Sequence, residues 1–274
     1  MELGISTLPF FYKPTLEEAI DCCCDYGFKH IEIMCEPAQA LPIEISQDRR
    51  KKLVQKAKEN GLQYYVHAPI ADINLMSLNV GIRAEARRQL IECIRFTRDI
   101  GAKRMVFHIG GKPYMGLYNF EEGYKHCIEA LEPVVSTAEE YGVTLLMEND
   151  PNKFGLGAIT IEDCKRILDA YAGRLYFLLD VAHAFMVSDT AVREFTQAFQ
   201  PILKGTHFSD NHRERDLHLG LGDGDMDLKE VLSALKDAHY ENEFMLEVKN
   251  EADILPSIKR MKETWDIVLG GNNS

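Results

Sequence analysis

The chain has 274 residues, 46% hydrophobic and 27% charged, which supplies a large apolar core and excludes a disordered chain. Its net charge of −12 opposes non-specific attraction to a nucleic-acid backbone, although bound divalent ions can reverse the field locally. No basic-then-apolar leader and no run of about 18 apolar residues occurs, so a cytoplasmic chain without a membrane partner is expected.

Short runs rich in β-branched residues alternate with amphipathic stretches from end to end. The first strand is expected at Leu3 to Ser6, before a helical stretch that carries Cys22, Cys23 and Cys24. A second, His30 to Met34, precedes a helix over Gln47 to Asn60, and a third, Gln63 to Val66, precedes Arg83 to Ile100. The fourth and fifth, Arg104 to Phe107 and Thr144 to Met147, lead to helices over Phe120 to Tyr141 and Thr160 to Tyr171. Leu175 to Leu179, Leu203 to Phe208 and Phe244 to Val248 complete the strands, with helices over Leu228 to Ala238 and Ala252 to Val268.

Gly61, Gly101, Gly142 and Gly173 each stand just past a helix, where a left-handed residue is wanted. Asp227 with Glu230 reads as a capping box. No linker, low-complexity block or repeat beyond the β/α rhythm divides the chain, so one domain over residues 1–274 is expected. Eight β/α units favour a closed (β/α)8 TIM barrel over a doubly wound sheet.

Seven cysteines, scattered through strands and helices, read as free thiols of a reducing compartment. Three consecutive helical cysteines point about 100° apart and cannot all chelate one ion.

In such barrels the active site lies at the C-terminal ends of the strands. His67 follows strand three, His108 strand four, Glu148 strand five, and Asp180 strand six with His183 three residues on. His207 closes strand seven, and Glu247 stands near the end of strand eight. Carboxylates and imidazoles converging on one mouth repel or stay protonated without a cation, and this oxygen and nitrogen set suits Zn²⁺, Mn²⁺ or Fe²⁺. Past strand seven, Asp216 and His218 stand two apart, which in extended backbone puts both on one side, and with His183 they form a further candidate ion site. The run from Leu219 to Asp225 is glycine-rich but lacks the spacing of a dinucleotide fingerprint and reads as a turn into a capped helix.

Strung in this order, the residues resemble the endonuclease IV family within the xylose-isomerase-like TIM barrels. The match runs through His67-Ala68-Pro69, Phe107-His108, Glu148-Asn149, Asp180-Val181-Ala182-His183, His207-Phe208-Ser209-Asp210, Asp216-Leu217-His218 and Leu246-Glu247. The resemblance implies three ions, zinc above all with manganese or another divalent metal as alternatives. His67, His108 and Glu148 would hold one, Glu148 would bridge to a second on Asp180, His207 and Glu247, and His183, Asp216 and His218 would hold the third. It implies hydrolysis of phosphodiesters, as at abasic sites in DNA, with Glu148, Glu247 and His183 as catalytic residues.

The stretch Cys35 to Ile45, however, has no Lys, Arg or aromatic side chain with which to enter DNA. Near the mouth, Lys112, Lys153, Arg213 and Arg215 could meet phosphate and Tyr114, Tyr118 and Phe154 could stack, a set that serves a small phosphorylated substrate as readily as DNA. The same superfamily holds sugar isomerases and epimerases, which this chain resembles at Glu148, Asp180, His207 and Glu247 around one ion. Glu148 and Glu247 would then move protons next to a carbonyl of a sugar or sugar phosphate, with His183 and Arg213 contacting it. A non-catalytic binding barrel is the third reading, and it leaves nine converging ligand-type residues without a role.

Overall fold

The computed structural model describes residues 1–37, 39–112, 120–153 and 155–270, so Tyr114, Tyr118 and Phe154 lie outside the described residues. Strands β1 (Leu3–Ser6), β2 (His30–Met34), β3 (Gln63–His67), β4 (Arg104–Phe107), β5 (Thr144–Glu148), β6 (Tyr176–Asp180), β7 (Leu203–Phe208) and β8 (Phe244–Leu246) pair in parallel in chain order, and β8 pairs back with β1. The expected closed (β/α)8 barrel is what the chain forms.

Around it run α1 (Leu16–Asp25), α2 (Gln47–Asn60), α3 (Val80–Asp99), α4 (Phe120–Tyr141), α5 (Ile161–Leu168), α6 (Val181–Phe185), α7 (Ala191–Phe199), α8 (Leu228–Asp237) and α9 (Ile254–Gly270). α3 begins three residues earlier than the apolar pattern suggests, because the Asn79 side chain accepts the N–H groups of Gly81 and Ile82 and caps it. The full capping box is at Thr160 and Asp163, ahead of α5, whereas at α8 the Asp227 side chain caps Lys229 and Glu230 without a return bond from Glu230. All seven cysteines are free thiols.

Successive strand residues point to opposite faces, and this period of two organises both core and mouth. Met105, Phe107, Leu145, Met147, Phe177 and Leu179 belong to the large core under the helices. The residues between them, Val106, Leu146 and Leu178, form a separate apolar cluster inside the barrel. Two residues further along each of these inward rows stand His108, Glu148 and Asp180. The alternation that fills the barrel therefore delivers polar side chains to its C-terminal rim. On β7 the residue two before His207 is Gly205, where a Cβ would lie 2.9 Å from Leu178 Cδ1 and 3.0 Å from Leu146 Cδ1. Only glycine lets β7 close against the interior cluster without moving it.

The loop after β2 is clamped by Arg50 of α2. Its guanidinium donates to Pro42 O at 2.6 Å and Ile45 O at 3.0 Å, and to Asp99 Oδ2 of α3 at 2.7 Å. No helix among the described residues is long and apolar enough to cross a membrane.

Candidate metal centre

At the rim, β3 to β8 aim their last inward side chains at one another. His67 Nε2 and His108 Nε2 each lie 3.1 Å from Glu148 Oε2. The other oxygen of Glu148 is 3.0 Å from His207 Nδ1, which is in turn 3.2 Å from Glu247 Oε2. A short step outward, Asp216 Oδ2 sits between His183 Nε2 at 3.2 Å and His218 Nε2 at 3.1 Å. His183 Nδ1 is 3.7 Å from Glu148 Oε1, so the two groups adjoin. All nine residues that the sequence singles out as ligands meet at this mouth.

Their donor atoms fall into sets tight enough for shared ions. Glu148, Asp180, His207 and Glu247 form one and His183, Asp216 and His218 another, as expected, each with its atoms within 4.8 Å of one another. The third is His67, Glu148 and His207 rather than the expected His67, His108 and Glu148, and His108 belongs to no set among the described residues although its Nε2 is 3.1 Å from Glu148. Three buried carboxylate oxygens have no hydrogen-bond partner among the described residues, Glu32 Oε1 behind the centre and Asp180 Oδ2 and Asp216 Oδ1 within it. An orphaned buried carboxylate oxygen is costly, and a cation beside it removes the cost. The residues present fit divalent metal.

The histidines are oriented from behind. His67 Nδ1 is 2.8 Å from Ala68 O, His183 Nδ1 2.8 Å from Asn149 O, and His218 Nδ1 3.0 Å from Glu247 O. His108 Nδ1 rests on the Asp150 carboxylate at 2.7 Å, and Asp150 also accepts the N–H groups of Gly157 and Ala158. Each of these rings thus presents Nε2 to the centre, the arrangement by which a second partner fixes the tautomer of a metal-binding imidazole.

Asp216 and His218 do meet, though not through the extended backbone that their spacing suggests, because His218 is left-handed at φ 48°. The turn is built by Asp210, which accepts the N–H groups of Asn211, Gly222 and Met226 and pairs as a bridge with Leu219. The glycine-rich run from Leu219 to Asp225 is accordingly a turn folded around a carboxylate.

The charge balance follows from this crowding. Burial disfavours the charged form of His108, yet Glu148 and Asp150 outweigh it and push its pKa up to about 10. Against the same burial, Asp216 and Glu247 raise His218 to about 9. Asp216 is held well below the carboxylate range by His183 and His218, which overcome its burial. Asp180 goes the other way, to about 6, because burial and the neighbouring carboxylates outweigh His183. Protons and divalent ions compete for these donor atoms.

The centre forms the floor of a cavity of about 710 Å³, within the range of small-ligand sites. Leu8, Phe11, Ile73 and Leu156 supply an apolar wall, and Lys153 and Arg215 are its Lys and Arg side chains. Lys112 and Arg213 do not line it. Lys112 Nζ donates to Asp163 Oδ1 at 3.1 Å, and Arg213 bonds to Asp189 while its guanidinium lies 4.0 Å from the centre of the Phe185 ring. The sequence reading missed Asp150 and Glu32. Asp150 stands two residues past Glu148, which is the signal that could have found it.

Comparison with known proteins gives the same architecture two kinds of relative. An uncharacterized protein of Methanocaldococcus jannaschii, MJ1311, is 30% identical over 98% of this chain and 90% of its own length. A probable endonuclease 4 of Aquifex aeolicus is 25% identical over 72% of this chain and 73% of its own. Among solved structures, a D-tagatose 3-epimerase-like protein superposes with a TM-score of 0.89 at 28% identity, covering 98% of both chains. The family model for the xylose isomerase-like TIM barrel matches residues 20–265, and the chain belongs to that family.

Proposed function

We propose that this chain is a metal-dependent phosphoesterase whose mouth holds three divalent ions, zinc or manganese among them, and whose substrate is a small phosphorylated molecule. The observation that carries the reading is the set His183, Asp216 and His218, which lies beside the set Glu148, Asp180, His207 and Glu247. Together with His67 and His108 this is far more ligand than one ion can use, since a catalytic zinc ion takes about three protein ligands. Divalent ions there would supply Lewis-acid charge to phosphoryl oxygens and make water a better nucleophile. Glu148, between the inner histidines and His207, would orient both inner sets, while Lys153 and Arg215 would take anionic oxygens at the rim.

Duplex DNA is disfavoured as the substrate. The stretch Cys35 to Ile45 has no basic or aromatic side chain, and Glu36 and Glu214 add negative charge to the cavity of a chain that already carries −12.

One observation favours a second reading, a one-ion sugar epimerase: the full-length likeness to the D-tagatose 3-epimerase-like protein. Glu148 and Glu247, 3.0 and 3.2 Å from His207 Nδ1, would then remove and return a proton at a carbon next to a carbonyl. Metal content and two assays separate the readings. Close to three ions per chain, release of nitrophenolate from nitrophenyl phosphate mono- or diesters, weaker cleavage of an abasic duplex, and loss of an ion with activity in Asp216→Ala are expected. One ion per chain, unchanged in Asp216→Ala, with epimerisation of ketohexoses would replace the hydrolase by the epimerase.

A further inference from the structure

We infer that Glu32, on β2, is a positioning residue for the metal centre, acting through His207. The inference rests on metal binding at this mouth but not on which reaction the metal serves. Glu32 is 2% exposed, and its Oε1 lies 2.9 Å from His207 Nε2, but the two are not aligned as a hydrogen bond, and neither atom has a hydrogen-bond partner among the described residues. Among the described residues His207 is the one basic side chain within 4.0 Å of this carboxylate. Its next polar neighbours, Tyr65, Arg104, Thr206 and Glu243, stand across a cavity of about 20 Å³ in the barrel interior, large enough for one water molecule.

His207 differs from the other four histidines of the centre. Those present Nε2 inward and are held by Nδ1, whereas His207 presents Nδ1 to Glu148 and Glu247 and turns Nε2 toward β2. That orientation needs an acceptor behind Nε2. An anionic one also raises the donor strength of the ring, as carboxylates behind metal-binding histidines do. Glu32 is the carboxylate that stands there, and a small turn of the ring that brings Nε2–H onto Oε1 satisfies both orphaned atoms. Its burial without a second charged partner is costly, and the cost is offset when His207 holds its proton on Nε2.

The test is zinc affinity, measured by competition with a chromophoric chelator on the full chain, for Glu32→Gln and Glu32→Leu. Glu32→Gln keeps an acceptor and loses the charge, and Glu32→Leu removes both into a site bordered by Val106, Leu146 and Leu178. About a 10-fold loss of affinity is expected for Gln and about 100-fold for Leu. In the zinc-loaded protein, nitrogen NMR of His207 should show the proton on Nε2 in a strong hydrogen bond, and in Glu32→Leu the Nε2–H signal should move to the position of a weakly bonded N–H and exchange faster with water. A residue with a merely structural role would change the melting temperature of the metal-free chain and leave chelator competition and the His207 signals where they were. Affinities within about twofold of the parent in both folded variants would overturn the inference, and so would a His207 proton on Nδ1. A chain that binds zinc in this Glu32-dependent way yet hydrolyses no phosphoester would sink the proposed reaction and leave the role of Glu32 standing.

Discussion

Asp180 Oδ1 accepts the backbone N–H of His183 at 2.6 Å, while Oδ2 of the same carboxylate is buried with no hydrogen-bond partner among the described residues. One side chain thus caps α6, which carries His183, and offers an oxygen to the metal set. The two duties separate by substitution. Asp180→Asn keeps a capping oxygen and Asp180→Ala does not, so in chelated protein the Ala variant should be about 1 kcal/mol less stable than the Asn variant by urea denaturation. Because burial raises the Asp180 pKa from 3.8 to about 6, its neutral form favours the folded state below 3.8, and that advantage is lost as pH rises through 6. Asp180→Asn should therefore equal or exceed the metal-free parent at pH 8. Both variants should bind less zinc, and equal denaturation curves for Asn and Ala would remove the capping role.

Metal loading should release protons. The metal-free centre keeps His108 and His218 protonated at neutral pH, with values near 10 and 9, and zinc needs the same nitrogens neutral. Calorimetric titration at pH 7 in two buffers of different ionisation enthalpy should show proton release, and the apparent affinity should rise with pH. The linkage sign for stability is opposite. These raised values stabilise the metal-free fold fully below about 6.5 and cease to do so as pH passes 9 to 10. Metal-free protein should lose melting temperature across that window while zinc-loaded protein holds it. No net proton uptake or release at pH 7 would contradict the charge balance described.

Most of the centre was legible because barrel geometry turns sequence position into spatial position. An inward row with a period of two must end at the rim, so His67, His108, Glu148, Asp180, His207 and Glu247 had to converge once their strands were recognised. Glu32 was hidden by the same rule. It stands in mid-strand in His-Ile-Glu-Ile-Met, where an apolar run is expected, and nothing local shows that its partner is on β7. Lys112 and Arg213 were placed at the mouth by proximity in sequence, but Asp163 and Asp189, from other segments, hold them elsewhere. Charged side chains follow the nearest opposite charge in space, and spacing along the chain does not encode that.

The loop from Pro42 to Ile45 depends on Arg50. This guanidinium is mostly buried, at 8% side-chain exposure, and satisfies two backbone carbonyls and Asp99 together. Arg50→Ala leaves Ile45 O without its donor, while Asp99 keeps Arg98 and Gln47 and Pro42 O keeps the Ile45 N–H, so the change should cost about 2 kcal/mol in urea denaturation. Arg50→Lys should recover only part of it, since an ammonium cannot reach three acceptors in a planar fork. Zinc content should stay at the parent level in both, because none of the nine candidate ligands touches Arg50. A loss below about 1 kcal/mol in Arg50→Ala would mean that the loop holds itself.

Gly205 links the packing beneath the centre to the centre itself. A methyl group there meets Leu178 and Leu146 at 2.9 and 3.0 Å, inside ordinary contact distance, and both leucines are 2% exposed and border only the interior cavity of about 20 Å³. Gly205→Ala should thus destabilise the fold by about 1 to 3 kcal/mol. The strain has a direction. Leu178 and Leu146 stand two residues before Asp180 and Glu148, and Gly205 two before His207, so any give in β5, β6 or β7 displaces three members of one donor set. Zinc affinity should consequently fall in Gly205→Ala, and Leu178→Ala, which opens room for the added methyl, should restore part of it in the double variant. If Gly205→Ala destabilises the chain but binds zinc as the parent does, the interior cluster supports the barrel without tuning the rim.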